Sequence, residues 1–427
     1  MKKYGNIMYR WAQDLWPICR SLTGEGVRIT LNYIQNLLPE LVIHDVPTGT
    51  KAFDWEVPLE WNITDAYIAD EFNTRIIDFQ KNNLHIVGYS IPVDKWMYLE
   101  ELEQYLFSLP QYPDAIPYVT SYYKKRWGFC LSQQQRKQLT NQNYHVVINS
   151  SLKHGVLNYG ELIIPGRSKQ EIFLSTYICH PSMANNELSG PVVTTALAQW
   201  LEGLGNLRYT YRIIFIPETI GSIVYLSRHL STLKKNCIAG FVITCVGDDR
   251  AYSYMPSRHG HTLADRAAKH VLKYHTANYD TYSFLERGSD ERQYCSPGVD
   301  LPVCSIMRSK YGEYPEYHTS LDDLKLVTSE GLQGGFDVLS KALMLIENNA
   351  YYKTKCLCEP QLGKRGLYPT LSQKRDKDIY DMMNILAYAD GEKDLIEIAE
   401  ITKQNALDCL PIIEKLIHAG LLEEIKY

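Results

Sequence analysis

The stretch STYICHPSMANNELSG, residues 175–190, decides how this chain is read. It completes an apolar run, EIFLSTYI from Glu171, that shows no polar alternation and so reads as a strand covered on both faces. His180 follows at once, and Pro181 and Ser182 stop the strand, which leaves the imidazole at the edge of a sheet. Asn185 and Asn186 bring amide groups close by, and a helix is expected to start near Ser189. Open α/β sheets place their chemistry at strand ends of this kind.

Working outward, residues 160–349 alternate strand and helix. The strands are EIFLSTYI, YRIIFI, AGFVITCV and LPVCSIM; the helical segments are GPVVTTALAQWLEGL, IGSIVYLSRHL, HTLADRAAKHVLKY and EGLQGGFDVLSKALMLIE. That alternation predicts a doubly wound, mostly parallel sheet. Upstream, residues 6–38 carry helical periodicity, with Trp11, Leu15, Ile18 and Cys19 on one face and Ile29, Leu31, Ile34 and Leu37 on the next. Pro17 marks a break between them. From about Val46 short segments separated by prolines and turn residues (AFDWEVPLEW, NTRIIDF, LHIVGYS, YVTSYY, YHVVINSS) predict a β-rich insert. After the polar hinge from Lys353, the segments IYDMMNILAYAD, DLIEIAEIT and NALDCLPIIEKLIHAG predict three helices, with LLEEIKY as a wing strand; this is a winged-helix layout. The expected domains are 1–45 with 146–352, the insert 46–145, and a winged-helix unit 375–427.

Composition excludes several classes. The chain has 427 residues, 45% hydrophobic and 22% charged, which is ordinary for a globular protein. A net charge of −5 gives no bulk attraction to nucleic acid or anionic membrane. The N-terminus lacks the apolar core and cleavage site of a signal peptide, and no apolar run is long enough to span a membrane. The ten cysteines are scattered, mostly in apolar segments, as in a cytoplasmic protein. From Asp381 onward acids outnumber lysines and no arginine occurs, so the winged helix is expected to contact protein, a second copy included, rather than DNA.

Three further phrases carry candidate chemistry. YRIIFIPETIGSIVYL ends a strand in Glu218 and Thr219, where a carboxylate is placed to act as a general base or to stabilise a helix N-terminus. RGSDERQYCSPGVDLPV holds Ser289, Asp290, Glu291 and Arg292. PEYHTSLDDLKLV puts Tyr317, His318 and Thr319 in a loop ahead of Asp322 and Asp323. No P-loop, dinucleotide motif or nucleophile elbow competes with them.

In this order the phrases resemble the catalytic domain of the zinc aminopeptidases and glutaminyl cyclases. The whole chain is similar to bacterial aminopeptidase-like proteins with a β-rich insert and a C-terminal winged helix, associated with surface-polysaccharide biosynthesis. The resemblance implies that His180 and His318 are metal ligands, that Glu218 is the general base, and that Asp290 lies behind the site or orients substrate. Arg292 and Tyr317 are the expected substrate contacts. Two positions depart from the pattern: Asn186 stands where the family has a metal-bridging aspartate, and Thr219 where it has a second glutamate. An amide is a weaker ligand than a carboxylate and a threonine hydroxyl a poor one for zinc, so one zinc ion is expected, its third ligand Asn186, Asp248 or Asp290. Asp249 is the alternative to Asp248 at that strand end. The implied function is metal-dependent hydrolysis of an amide in a small peptide or an amide-bearing sugar derivative; the alternative is a catalytically degenerate fold that serves as a binding or scaffold protein.

Overall fold

The structure, a computed structural model, describes residues 3–367 and 377–425. In chain order the main elements are α1 (Gly5–Leu15), α2 (Glu25–Leu37), β1 (Val42–Pro47), β2 (Val156–Ile164), β3 (Glu171–Tyr177), α3 (Ser189–Leu204), β4 (Thr210–Ile216), α4 (Ile220–Asn236), β5 (Cys237–Val242), β6 (Ser253–Met255), β7 (Asp280–Thr281) and β8 (Val303–Met307). The strands form one sheet in the order β1-β2-β4-β3-β5-β8-β6-β7. Its centre, β4-β3-β5-β8, is parallel. β2 joins β4, and β6 joins β8, antiparallel, so the sheet is mixed at its flanks. Every residue of β3 is buried, as its unbroken apolar run requires.

Register brings the strand ends together. Tyr177 of β3 pairs with Ile216 of β4, and Ser175 pairs with Val242 of β5. The chain leaves β3 for β4 on one side and then crosses to β5 on the other, which makes β3 the switch point of the sheet. His180, Glu218 and Thr244 therefore emerge along one edge.

α1 buries Met8, Trp11, Ala12 and Leu15, a stripe at helical spacing, and ends just before Pro17. Ile18 and Cys19 lie beyond that end. In α2 the buried stripe is Val27, Thr30, Leu31 and Ile34, one step round from the expected face, and Ile29 is exposed.

The chain leaves the sheet after Pro47 and re-enters it at Val156, where Thr48 N–H donates to the Gly155 carbonyl (2.9 Å). The excursion is therefore wider than the 46–145 read from the sequence. Its centre is a four-stranded antiparallel sheet in the order Arg75–Asp78, Glu60–Ala69, Asn143–Lys153, Val93–Tyr98. LHIVGYS and YVTSYY, expected as strands, instead make isolated bridges, Ile86 to Phe129 and Gly88 to Thr120. LHIVGYS is buried at every position but Gly88, whereas YVTSYY is mostly half-buried.

Contacts divide the chain into two units, residues 1–260 with 280–337, and residues 261–279 with 338–427. Within the second, strands Asp390–Asp394, Tyr351–Thr354 and Leu422–Ile425 form a sheet in that order, beside helices Lys377–Tyr388, Leu395–Thr402 and Ala406–His418. Its first strand thus precedes the expected boundary at 375. Helix Leu263–His275 belongs to this unit: His270 Nε2 accepts the Ala406 N–H (2.9 Å), and Lys273 pairs with Glu400 (2.7 Å). No helix among the described residues is long and apolar enough to cross a membrane.

Candidate metal and active site

His180 lies three residues beyond β3 and is buried. Its Nδ1 is 2.8 Å from Glu187 Oε2, which leaves Nε2 to face Glu218, 3.6 Å away. Glu187 is itself fully buried and sits 3.4 Å from the buried Arg20 guanidinium, whose Nε also donates to the His180 carbonyl (2.9 Å). Burial pushes the Glu187 carboxyl up to about 8 in spite of Arg20. Burial lowers His180 to about 3, so its imidazole is neutral near pH 7.

The turn that delivers Glu187 is a π-helix, Ala184–Leu188, running into α3. Such wide turns concentrate at functional sites. Asp322 caps it: Oδ1 accepts the N–H of Asn185 (2.6 Å) and Ala184 (3.2 Å), and Oδ2 accepts the Asn186 N–H (2.9 Å) and the Tyr314 hydroxyl (2.9 Å). At Gly190 a side chain would collide with the Ile243 carbonyl and Thr176 Oγ1, so α3 can pack this close to β3 and the segment after β5 only with glycine there.

Glu218 leads into α4. The residue after it, Thr219, has φ +64°, a strained conformation for a β-branched residue. Asp290 holds the strained turn, its Oδ1 accepting the N–H of Thr219 (2.8 Å) and the hydroxyl of Ser222 (2.9 Å). Arg292 donates to Thr219 Oγ1. Burial, then the neighbouring Asp290, pushes the Glu218 carboxyl well above the ordinary range; burial also raises Asp290 to about 6. Buried Oδ2 of Asp290 and Oε2 of Glu291 have no hydrogen-bond partner among the described residues.

His318 stands opposite His180, ring centres 5.6 Å apart. Burial lowers it, too, to about 3. It stacks on Tyr317 (3.9 Å) and has φ +55°. Among the described residues no hydrogen bond reaches its ring nitrogens. Tyr118, from the insert, touches both imidazoles, at 5.3 Å from His180 and 5.1 Å from His318. Glu218, Arg292, Tyr317 and His318 are half-buried and form the open side of the site.

The structure thus brings His180, His318, Glu218, Asp290, Arg292 and Tyr317 into one neighbourhood. It places the other two candidates differently. Asn186 uses its side-chain oxygen to accept the Tyr177 hydroxyl (3.0 Å). Asp248 is saturated: Oδ2 accepts Asn185 Nδ2 and the Ser309 N–H (both 2.9 Å), and Oδ1 accepts the Ser309 hydroxyl (2.8 Å) and the Arg250 N–H (3.0 Å). It braces the Asn185 turn. Asp249 is at the surface, within 3.4 Å of the Thr328 hydroxyl. Sequence reasoning missed Glu187, Arg20 and Tyr118. Glu187 lies inside the decisive motif, and a lone acid in a run of small and amide residues was its available signal. Arg20 and Tyr118 come from distant segments and left none.

Two donor sets are candidates for a metal. Cys179, His180 and Glu187 offer ligand atoms within 4.8 Å of one another. That corner already holds the Arg20 guanidinium, and burial keeps the Cys179 thiol well above its ordinary pKa, whereas zinc binds the thiolate. The other set is His180 Nε2 and His318, with Glu218 alongside. Two neutral imidazoles facing each other across 5.6 Å are ligands of a type that zinc takes, and the Glu218 carboxyl stands beside them, 3.6 Å from His180 Nε2. Thr219 and Asn186, the two positions that depart from the family's pattern, are engaged elsewhere, by Arg292 and by the Tyr177 hydroxyl.

Comparison with known proteins agrees with this architecture. The model of a domain of unknown function (DUF4910) matches residues 9–349, and a winged helix-turn-helix model matches residues 349–424. A Clostridium acetobutylicum protein, provisionally named a polysaccharide biosynthesis protein with an aminopeptidase-like domain, is 46% identical over 92% of this chain and 91% of its own length. A crystal structure from the same organism, provisionally called a peptidase, superposes with a TM-score of 0.94 at 43% identity, covering 99% of this chain and 96% of that one. A zinc aminopeptidase from Bacillus subtilis shares the fold, with a TM-score of 0.55 at 11% identity over 80% of this chain and 94% of its own. The chain belongs to the DUF4910 family, an aminopeptidase-like fold with a winged helix at its C-terminal end.

Proposed function

We propose that this protein is a metal-dependent hydrolase that cleaves an amide in a small peptide or an amide-bearing sugar derivative. The observation that carries the proposal is that His180 faces two partners at the strand-end site, His318 with ring centres 5.6 Å apart and Glu218 at 3.6 Å from Nε2. The two histidines would hold one zinc ion, with Glu218 beside it. Bound zinc supplies Lewis acidity and lowers the pKa of an attached water.

The chain's own residues do the rest. Glu187 engages Nδ1 of His180 and fixes the direction of Nε2. Glu218, raised by burial and by Asp290, is suited to take a proton from the attacking water and return it to the leaving amine. Asp290 and Arg292 hold the Thr219 turn on which Glu218 depends. Tyr317 and Arg292 face the open side, where substrate would approach. A role in polysaccharide biosynthesis is supported by the name of the Clostridium relative. The acid-rich C-terminal unit is assigned to protein contact, a second copy of the chain included, rather than to nucleic acid.

The test is Glu218→Gln with a panel of aminoacyl amides and acylated amino sugars. The proposal expects hydrolysis by the zinc-loaded protein and a loss of about 100-fold or more in the variant, on the scale of a general base, with zinc content retained. A zinc-loaded wild type that turns over no amide would favour the scaffold role.

A further inference from the structure

The two histidines are held unequally. His180 is fixed by a hydrogen bond at Nδ1, whereas the His318 ring makes aromatic contacts and, among the described residues, no hydrogen bond. Its backbone is also in the left-handed region, φ +55°, which a non-glycine residue keeps only when its surroundings impose it. The surroundings that impose it come from the insert. Tyr118 N–H donates to the His318 carbonyl (2.9 Å), Ser320 N–H donates to the Ile116 carbonyl (2.9 Å), and Ile116 N–H donates to Ser320 Oγ (3.0 Å). Residues 116–118 thus bind the His318 loop as a short antiparallel bridge centred on Pro117 and Thr319.

The Tyr118 ring is braced from behind. Its hydroxyl bonds that of Tyr122 (2.7 Å), Tyr122 packs edge-on against Tyr89 (5.3 Å), and Tyr89 stacks on Trp61 (5.7 Å). Tyr89 is anchored in turn to Thr23 by a hydroxyl contact of 2.6 Å. This row of rings runs from the insert's interior to the two histidines. Its last member meets His318 edge to face, at 83° between planes, a favoured aromatic geometry.

We propose that Tyr118 is a positioning residue for His318: its ring and its backbone N–H set where that imidazole stands opposite His180, so the insert completes the metal site rather than merely covering it. The consequence for metal binding rests on the reading of His318 as a ligand; the positioning itself does not.

The experiment compares Tyr118→Ala, Tyr118→Leu and Tyr118→Phe with wild type, all carrying ¹³C-labelled histidine. In metal-free protein the His318 ring resonance, assigned with His318→Ala, is expected to be single and sharp in wild type and Tyr118→Phe. It is expected to split or broaden by exchange in Tyr118→Leu and Tyr118→Ala, while far-UV circular dichroism is unchanged. With zinc, affinity is expected to fall about tenfold or more in the Leu and Ala variants and to be kept in Tyr118→Phe, the scale seen when a partner that orients a ligand is lost. The visible spectrum of the cobalt-loaded protein should change in the same two variants. If Tyr118→Ala does not fold, Tyr118→Leu, which retains apolar bulk, decides. A His318 resonance as sharp in Tyr118→Leu as in wild type would overturn the proposal. If wild type takes up no zinc, the ligand reading falls, and the metal-free resonances still decide whether Tyr118 positions His318.

Discussion

His180 and His318 face each other across 5.6 Å, yet the molecule holds them by opposite means. His180 comes from the end of a fully buried strand, and a fully enclosed Arg20–Glu187 pair fixes it from behind. His318 comes from a loop, has no hydrogen bond to its ring among the described residues, and takes a main-chain hydrogen bond and one of its ring contacts from the insert. The first arrangement is costly to disturb, because polar groups inside a core must keep their hydrogen-bond partners. The second contains no buried charged group and rests on main-chain hydrogen bonds and ring packing.

The largest expected effect breaks the fixed side. Arg20→Ala leaves Glu187 buried beside no guanidinium and should lower stability by about 3–5 kcal/mol, measured by urea unfolding of metal-free protein. A loss under about 1 kcal/mol would mean that water reaches Glu187 and that this side is not costly to disturb. Next, Glu187→Gln keeps the shape but weakens the hold on Nδ1 of His180. Zinc affinity should fall about 10–100-fold by calorimetry, in line with other groups that orient metal ligands. An unchanged affinity would remove Glu187 from the support of the site. The smallest effect concerns the His318 side. Ser320→Ala deletes the hydroxyl that accepts the Ile116 N–H and should cost about 0.5–1.5 kcal/mol. It should speed amide exchange in residues 316–320 while leaving residues 171–180 protected; equal protection at both would erase the contrast.

The same contrast governs how much of the molecule could be read from its sequence. The central strands and the helices between them were legible, because EIFLSTYI, YRIIFI and LPVCSIM carry unbroken apolar runs and the helices between them carry clear periodicity. His180 was legible for the same reason, since Pro181 ends the run beside it. His318 came within reach only through the likeness of the phrase around it, because a loop histidine has no periodicity to mark it. Asp248 was expected to reach toward the metal, but four hydrogen bonds tie it to Asn185, Ser309 and Arg250. Local order alone does not show which carboxylate a turn will consume. Arg20 and Tyr118 were invisible for a simple reason: each reaches the site across more than 60 residues of chain, through contacts that only the folded structure creates. In the insert, LHIVGYS and YVTSYY had strand-like composition, yet their pairing stops at single bridges.

The central claim is that His180 and His318 together hold one metal ion. Its most direct test is zinc stoichiometry, by elemental analysis after equilibration with zinc and removal of excess, in wild type, His180→Ala and His318→Ala. The account predicts one zinc per chain in wild type and none retained in either variant. One zinc retained in His318→Ala, or no zinc in wild type, would contradict it.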